Sequence, residues 1–393
     1  MWTATCGWNT DGSCVRSRET TSRPDREDMA MARSRSIATT GRGKDQREEI
    51  PMFKQIRNVI LALGASSALT AAASAETVLK WGEHLPQCCS MYAAAAQWAV
   101  DETAKRSNGE LKIDINYGGV LATVGEIPSA IENGVIDMGN LVTPYFPDQF
   151  KINNAIPFFW PQPKSQQELG ELMLKWHEEI PAFGEELARF KLKLVAVRPL
   201  PPYGFICNKP IRTLEDFKGK RIRSYGVALP ATLEALGAVS VGMPDVEAYE
   251  ALSNNILDCS AADIALVDAF KLQEVAKYFV DVPMGASWGH IIVMNTDKYA
   301  SLSDAEKQVI DSLKGDHLTE LLRLFRAKEE ELKAKWQADG TVEIISSIPA
   351  EDFLKVTLGS EKVQAVRNSW KQRAMDSGMP EADADRVVSE LTN

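Results

Sequence analysis

Apolar and polar residues alternate along several short stretches of the chain, which is typical of half-buried strands. Residues 77–82 and 111–117 show this pattern, and the alanine-rich segment 90–106 between them carries an apolar stripe at helical spacing. A helix over about 124–132 and a strand starting near Ile136 follow. This βαβαβ order predicts an α/β unit with a largely parallel sheet.

The middle of the chain contains a long segment without regular periodicity. Residues 141–163 are rich in proline and aromatic side chains, so we expect a loop that is functional or packed over a core. A helix over about 165–183 and strands at 192–198 and 203–208 follow. The prolines of residues 199–202 restrict the backbone, which favours a hinge between two lobes at this point.

The second half repeats the alternation of strands and helices. Its predicted strands are 221–223, 239–241, 256–259, 290–295 and 341–345. Ser303 and Glu306 have the spacing of a capping box, and apolar positions keep helical spacing from there to about Trp336. That helix is long enough to brace both lobes.

The N-terminal region has three parts. Residues 1–51 are polar and lack periodic apolar positions, so they are expected to be a disordered or mis-assigned extension. Residues 52–75 have the basic, apolar and small-residue order of a signal peptide, with cleavage expected after Ala75. We therefore expect Met52 to be the true start and the cleaved protein to be periplasmic, without a membrane span. The alternative is an uncleaved anchor over residues 52–75.

Composition argues against several classes of function. Among 393 residues the formal net charge is −10, which argues against a nucleic-acid binder. The six cysteines and four histidines lack the spacing of a metal site, so no metal and no cofactor are expected. Cys88 or Cys89 is interpreted as one half of a disulfide, with buried free thiols as the alternative.

A basic strand carries the first candidate site. Side chains alternate along a strand, so Arg221 and Arg223 point the same way while Ile222 points into the core. Ligands of open α/β sheets bind at the carboxyl ends of strands, and a planar guanidinium suits a carboxylate. The alternative interpretation is a solvated basic turn.

Three passages together resemble the dicarboxylate-binding solute receptors of tripartite ATP-independent periplasmic (TRAP) transporters. They are residues 119–139, with Asn133-Gly134 before a strand; residues 216–223; and residues 236–258. The resemblance implies an α/β, two-lobed periplasmic binding protein with crossing strands, each lobe a mixed, mostly parallel sheet flanked by helices. It implies lobe closure on a small organic carboxylate and delivery to a TRAP membrane permease.

The resemblance also implies how the chain is divided. The expected units are lobe 1 at 76–200, lobe 2 at 201–288, a return to lobe 1 with the long bridging helix at 289–328, and C-terminal helices on lobe 2 at 329–393.

The resemblance also implies candidate site residues, at positions that match the family's motifs. Arg223 matches the family's carboxylate-gripping arginine. Tyr203 stands where some relatives carry a second arginine, and Asp263 lies beyond residues 260–262, where some relatives place a glutamate and an aromatic residue around a metal-bridged ligand. A metal-bridged oxo acid is therefore not expected.

Further candidate ligand contacts come from loops at strand ends, and each has a structural alternative. Core packing is the alternative for Trp288 and Tyr145, and a surface salt bridge is the alternative for Arg198. Tyr225 either shapes the pocket or caps a helix. The alternative for His84 is a structural histidine whose ring nitrogens are hydrogen-bonded within the protein.

An exported enzyme and a ligand-binding sensor are the alternatives to a transport receptor. An exported enzyme would need a nucleophile with a base, a carboxylate pair or a metal cluster, and the sequence has no GxSxG, HExxH or GxxxxGK[ST] motif. We therefore predict that the chain is not an enzyme. A ligand-binding sensor stays open, because sequence does not separate it from a transport receptor.

Overall fold

The computed structural model describes residues 76–87 and 91–392, together with the backbone of two short strands, β1 (Cys6–Trp8) and β2 (Cys14–Arg16). These two strands pair antiparallel. The other predictions for residues 1–75, including the signal peptide, and the predicted disulfide of Cys88 or Cys89 lie outside the described residues.

The strands that follow build two sheets. In chain order they are β3 (Thr77–Gly82), β4 (Leu111–Asn116), β5 (Met138–Val142), β6 (Leu192–Pro202), β7 (Gly204–Cys207), β8 (Arg221–Ser224), β9 (Val239–Gly242), β10 (Cys259–Ala262), β11 (Tyr278–Val280), β12 (Ala286–Asn295) and β13 (Glu343–Ile345).

Helices flank both sheets. They are α1 (Met91–Arg106), α2 (Ile127–Glu132), α3 (Ala155–Phe158), α4 (Gln166–Glu179), α5 (Pro181–Ala188), α6 (Ala228–Ala235), α7 (Ala248–Ser253), α8 (Ile264–Ala269), α9 (Thr296–Ser301), α10 (Asp304–Asp339), α11 (Ala350–Leu358), α12 (Glu361–Asp376) and α13 (Glu381–Thr392).

The two sheets define two lobes. Lobe 1 has the strand order β4-β3-β5-β12-β6, and lobe 2 has the order β13-β11-β7-β10-β8-β9. Both sheets are mixed: β3 runs parallel to β4 and β5, whereas β12 is antiparallel to its neighbours. In lobe 2, β8 runs parallel to β9 and β10, and β7 is antiparallel to β10. The predicted two-lobed α/β fold is confirmed.

The chain passes between the lobes at two strand junctions. β6 runs through the prolines of residues 199–202 as an edge strand, where proline's missing N–H costs no ladder bond, and the chain enters lobe 2 one residue later. It returns between β11 and β12. Gly285 lies at this second junction with φ +74°, and a Cβ there would meet the carbonyl oxygen of Gln162 at 1.8 Å. The crossing therefore requires glycine.

Helix α10 braces both lobes. The Ser303–Glu306 capping box opens it, as predicted, and its 36 residues span about 54 Å. It contacts α1 and β6 in lobe 1 and α8 in lobe 2. Among the described residues, no helix has both the length and the apolar character that crossing a bilayer demands.

The structure differs from the expected elements in several places. The single helix expected over 165–183 is two helices, because Pro181 pushes Ile180 into an extended conformation. The strand expected at 256–259 begins at Cys259. The C-terminal helices contact both lobes, since α12 packs on α6 of lobe 2 while Trp370 and Val387 lie in the core of lobe 1.

A disulfide links two neighbouring strands of lobe 2. Cys207 on β7 and Cys259 on β10 are directly paired in the antiparallel ladder, with Cα atoms 4.1 Å apart, and are bonded through sulfur. Both side chains are buried. The bond closes a loop with a sequence separation of 52 residues.

Candidate functional site

A cavity of about 920 Å³ lies between the lobes. The lobe 1 wall consists of His84, the segments 118–119 and 123–125, Pro144, Tyr145 and Pro147. The lobe 2 wall consists of the segments 224–226 and 242–244, Pro230, Ser240, Val246 and Glu247. Both walls follow the carboxyl ends of strands, which is where open α/β sheets bind ligands.

Arg223 lies at this cleft, directly behind its lining residues. Strand β8 turns Ile222 into the core and leaves Arg223 at 2% exposure. Its guanidinium donates from Nε to the Met243 carbonyl oxygen (3.1 Å), from Nη1 to the Ala261 carbonyl oxygen (3.2 Å) and from Nη2 to the Tyr145 hydroxyl (3.0 Å). Two of these partners, Met243 and Tyr145, border the cavity. The alternative of a solvated basic turn describes Arg221 instead, which is half-exposed and paired with Asp258.

Tyr145 makes one of the contacts between the lobes. It ends a short 3₁₀ helix (Thr143–Tyr145) after β5, so a lobe 1 residue accepts a hydrogen bond from a lobe 2 arginine. Burial raises the pKa of this hydroxyl. Because a guanidinium only donates, the phenol keeps its own proton for an acceptor in the cleft.

Tyr225 lines the cleft, and Tyr203 supports it from behind. The Arg223 guanidinium carbon lies 4.9 Å from the Tyr225 ring centroid, and the Tyr225 hydroxyl is 3.3 Å from the hydroxyl of Ser287. Burial raises the pKa of Tyr225. Tyr203, expected to replace an arginine grip, is buried between Trp160 and Tyr225 and does not border the cavity. It shapes the wall because its ring holds Tyr225 in place.

Arg198 is an internal charge and not a surface one. It is fully buried, and it donates from Nη1 to Glu83 (2.8 Å) and from Nη2 to the Tyr92 carbonyl oxygen (2.6 Å). This buried ion pair replaces both the expected ligand contact and its surface-salt-bridge alternative. Removing one partner of such a pair typically costs about 3–5 kcal/mol, because the other charge stays buried without compensation.

His84 belongs to a buried polar group at the base of lobe 1. Its Nδ1 lies 3.3 Å from the amide nitrogen of Asn140, which is also 3.2 Å from Nδ1 of His290. Burial lowers the pKa of His290 well below its ordinary value. His84 borders the cavity at 5% exposure, whereas His290 does not border it.

Asp263 and Trp288 complete the set of predicted site residues. Asp263 caps helix α8, where its carboxylate accepts from the Leu266 N–H at 2.9 Å, and it borders a separate small space beside the interlobe crossing and not the cleft. Trp288 falls within β12, and its side chain lies outside the described residues.

Sequence reasoning missed two segments of the wall. Gly118 and Gly119 follow β4 with φ of +72° and +71°, and residues 242–247 follow β9. A glycine pair directly after a strand was the available signal for the first segment, because ligands sit at strand ends. Within the described residues, no cluster of three or more His, Cys, Asp or Glu side chains could hold a metal.

Comparisons with known proteins agree with this architecture. The family model for DctP, bacterial extracellular solute-binding protein family 7, matches residues 82–357. An uncharacterised protein of Haemophilus influenzae is 28% identical over 345 residues, which is 84% of this chain and 98% of that protein.

Solved structures share the fold. A marine metagenome TRAP solute binding protein specific for aromatic acid ligands has a TM-score of 0.69 at 24% identity, covering 81% of this chain and all of that one. A TRAP periplasmic solute binding protein from Bordetella bronchiseptica with bound mandelate has a TM-score of 0.68 at 20% identity, covering 80% and 98%. The predicted resemblance is confirmed, and the chain belongs to bacterial extracellular solute-binding protein family 7, with the fold of TRAP solute receptors.

Proposed function

We propose that this solute receptor captures a small organic acid anion in the interlobe cleft and delivers it unchanged to a TRAP membrane permease. The observation that carries the proposal is Arg223, a buried cation held against the cleft by Met243 and by Tyr145 of the opposite lobe. A buried cation at a ligand cavity favours an anionic ligand, because it needs a counter-charge there. The bound mandelate of the Bordetella bronchiseptica protein supports the same ligand class.

The carboxylate of the ligand would receive hydrogen bonds from both lobes. The Tyr145 hydroxyl accepts from Arg223, which only donates, so its proton is free to donate to a ligand oxygen beside the guanidinium. Closure around this contact removes water and strengthens each charge-assisted bond. The same contact therefore joins anion recognition to lobe closure.

We propose that the protein acts in the periplasm after removal of residues 52–75. The extracellular character of the family and the buried Cys207–Cys259 disulfide support this, because disulfides persist in oxidising compartments. Mass spectrometry of the exported protein should find Glu76 as its first residue. An intact N-terminal segment on the exported protein would contradict cleavage after Ala75.

The role of Arg223 in binding the carboxylate of the ligand is tested with Arg223→Lys. A thermal-shift screen of hydroxy, oxo, aromatic, amino and sugar acids first identifies a ligand, and calorimetry then measures its Kd. We expect affinity to fall at least about 10-fold, since an ammonium does not reproduce the planar fork.

Arg221→Lys is the matched control on the same strand. Its guanidinium binds Asp258 away from the cavity, so its Kd should stay within about 2-fold of the parent value. Equal effects of the two substitutions, or no acid that binds, would overturn the proposed function.

A further inference from the structure

His84 presents an unsatisfied polar atom at the lobe 1 wall. The ring borders the cavity and is 5% exposed, and its Nε2 has no hydrogen-bond partner among the described residues. A buried polar atom without a partner is costly, so native structures rarely keep one without a reason. The position on the cleft points to a ligand group as the missing partner.

The neighbours of His84 determine which ring nitrogen carries the proton. The amide nitrogen of Asn140 lies 3.3 Å from Glu83 Oε1, and a carboxylate only accepts hydrogen bonds, so the donating end of the amide must face this group. His84 Nδ1 is 3.3 Å and His290 Nδ1 is 3.2 Å from the same amide nitrogen, so its two hydrogens face three acceptors. Glu83 Oε1 already accepts from the Leu85 N–H at 3.2 Å, which assigns the two amide hydrogens to the two imidazole nitrogens. Glu83 Oε1 is 3.5 Å from Nδ1, too long for a good hydrogen bond. With Nδ1 as an acceptor, the ring carries a proton on Nε2, which is therefore a donor.

The charges around His84 select a neutral acceptor. Arg198 is the buried cation that contacts this polar group, and it is already paired with Glu83. A second ligand carboxylate would therefore meet no free cation among the described residues of this group. A ketone, lactam or hydroxyl oxygen matches a single N–H donor without that penalty.

Much of the rest of the wall is apolar and favours an apolar ligand body, with Thr123, Tyr225 and Glu247 as its polar exceptions. Val124, Pro144, Met243, Pro244 and Val246 offer the cavity no side-chain hydrogen bonds, and the hydroxyls of Ser224 and Ser240 bond each other at 2.6 Å. A sugar acid has several hydroxyls, and each one left without a partner in a closed cleft weakens binding.

We propose that the ligand is a monocarboxylate with an apolar body and one neutral oxygen acceptor, and that His84 Nε2 is the specificity-determining donor for that oxygen. This assignment rests on the proposed function, with the carboxylate at Arg223. His84 thus discriminates among acids that Arg223 alone would bind alike.

The test is calorimetry with acids that share one body. The probes are cyclohexanecarboxylate, its 3-oxo and 4-oxo derivatives, cyclohexane-1,4-dicarboxylate and glucuronate. At least one oxo acid should bind about 10-fold more tightly than the parent acid, the dicarboxylate and glucuronate.

Variants of His84 separate recognition from structure. His84→Phe keeps a ring but lacks the donor, so it should remove the affinity advantage of the oxo acid over the parent acid, whatever change in affinity the two acids share. His84→Gln retains an N–H donor and should recover part of the advantage. Equal losses for all acids in the phenylalanine variant would indicate a structural role and overturn the assignment, as would tightest binding of the dicarboxylate or glucuronate.

The two proposals fail differently. If the affinities for the acids depend on Arg223 but not on His84, only the specificity assignment is overturned. If no probe binds, or if Arg223→Lys leaves all affinities unchanged, the proposed function falls and the specificity assignment falls with it.

Discussion

Asp263 holds a carboxyl group that is buried at the start of helix α8. Burial raises its pKa to about 7, although backbone N–H groups of Leu266 and Ala265 donate to it and act in the opposite direction. Its Oδ2 has no partner among the described residues. The helix cap explains why an acidic residue stands here, and the raised pKa means that burial opposes its ionisation.

Asp263→Asn should make stability less dependent on pH. The folded pKa lies above the unfolded value, so the native state binds more protons and the free energy of unfolding falls as pH rises through the interval up to about 7. The slope from this group approaches at most about 1.4 kcal/mol per pH unit. Urea denaturation between pH 4.5 and 8 measures it.

Asparagine is a suitable replacement because it caps helices about as well as aspartate. The stability of the variant relative to the parent protein should therefore increase steadily from pH 4.5 to about pH 7 and then stay constant to pH 8. Parallel pH profiles for the two proteins would show that Asp263 titrates normally in the folded state.

The sequence could identify Arg223 but not its partners. Alternation along β8 and the position before a helix depend on local residues alone, and both were correct for this arginine. The partners Tyr145 and Met243 lie 78 and 20 residues away in sequence, and tertiary packing brings them together. For the same reason, the pairing of Arg198 with Glu83, 115 residues away, was not predictable.

Strands β7 and β10 are joined both by ladder hydrogen bonds and by the Cys207–Cys259 disulfide. The bond closes a loop with a sequence separation of 52 residues in the unfolded chain. Because cross-links of this kind mainly restrict the unfolded state, removing both sulfurs should lower the free energy of unfolding by about 2–4 kcal/mol. Urea denaturation of a Cys207→Ala, Cys259→Ala variant gives the value.

The parent protein under reducing conditions is the comparison for the disulfide prediction. Reduction leaves the side chains in place, so it separates the cross-link from any cavity that alanine creates. Because both sulfurs are buried in lobe 2 and do not border the cleft, ligand affinity should change less than about 2-fold in the folded variant. Equal stability of the oxidised and reduced proteins would contradict the expected role.

Element types were more predictable than element ends. β3 occupies residues 77–82, where alternation placed it, because its side chains alternate between core and solvent before both faces become buried. The strand expected at 256–259 starts later because Asn255 turns the chain with φ +54° and leaves Ile256 at 52% exposure. An apolar run alone does not reveal such a turn.

At the scale of the whole molecule, the two lobes contact each other directly beside the cleft. Tyr145 of lobe 1 bonds Arg223 of lobe 2, and Tyr225 of lobe 2 contacts Ser287, which lies on β12 of lobe 1. Binding and closure share these residues, so a ligand that adds contacts here shifts an equilibrium between open and closed forms.

Tyr145→Phe should shift that equilibrium towards the open form. The substitution removes a hydrogen bond to a charged donor, a contribution of about 1.5–3 kcal/mol, while the ring continues to fill its place against Tyr225. Small-angle X-ray scattering should therefore give a larger radius of gyration for the ligand-free variant than for the ligand-free parent. A saturating acid should bring both proteins to the same radius, since added binding energy restores closure.

Tyr249→Phe is the control, because its exposed hydroxyl bonds Glu274 within lobe 2 and spans no lobe boundary. It should leave the radius of gyration and the Kd unchanged. In Tyr145→Phe the Kd should rise for two reasons, since the closed form is less populated and the ligand loses a phenolic donor. If the radius is unchanged but the Kd rises, Tyr145 recognises the ligand without holding the lobes together. If both are unchanged, neither role belongs to the phenol.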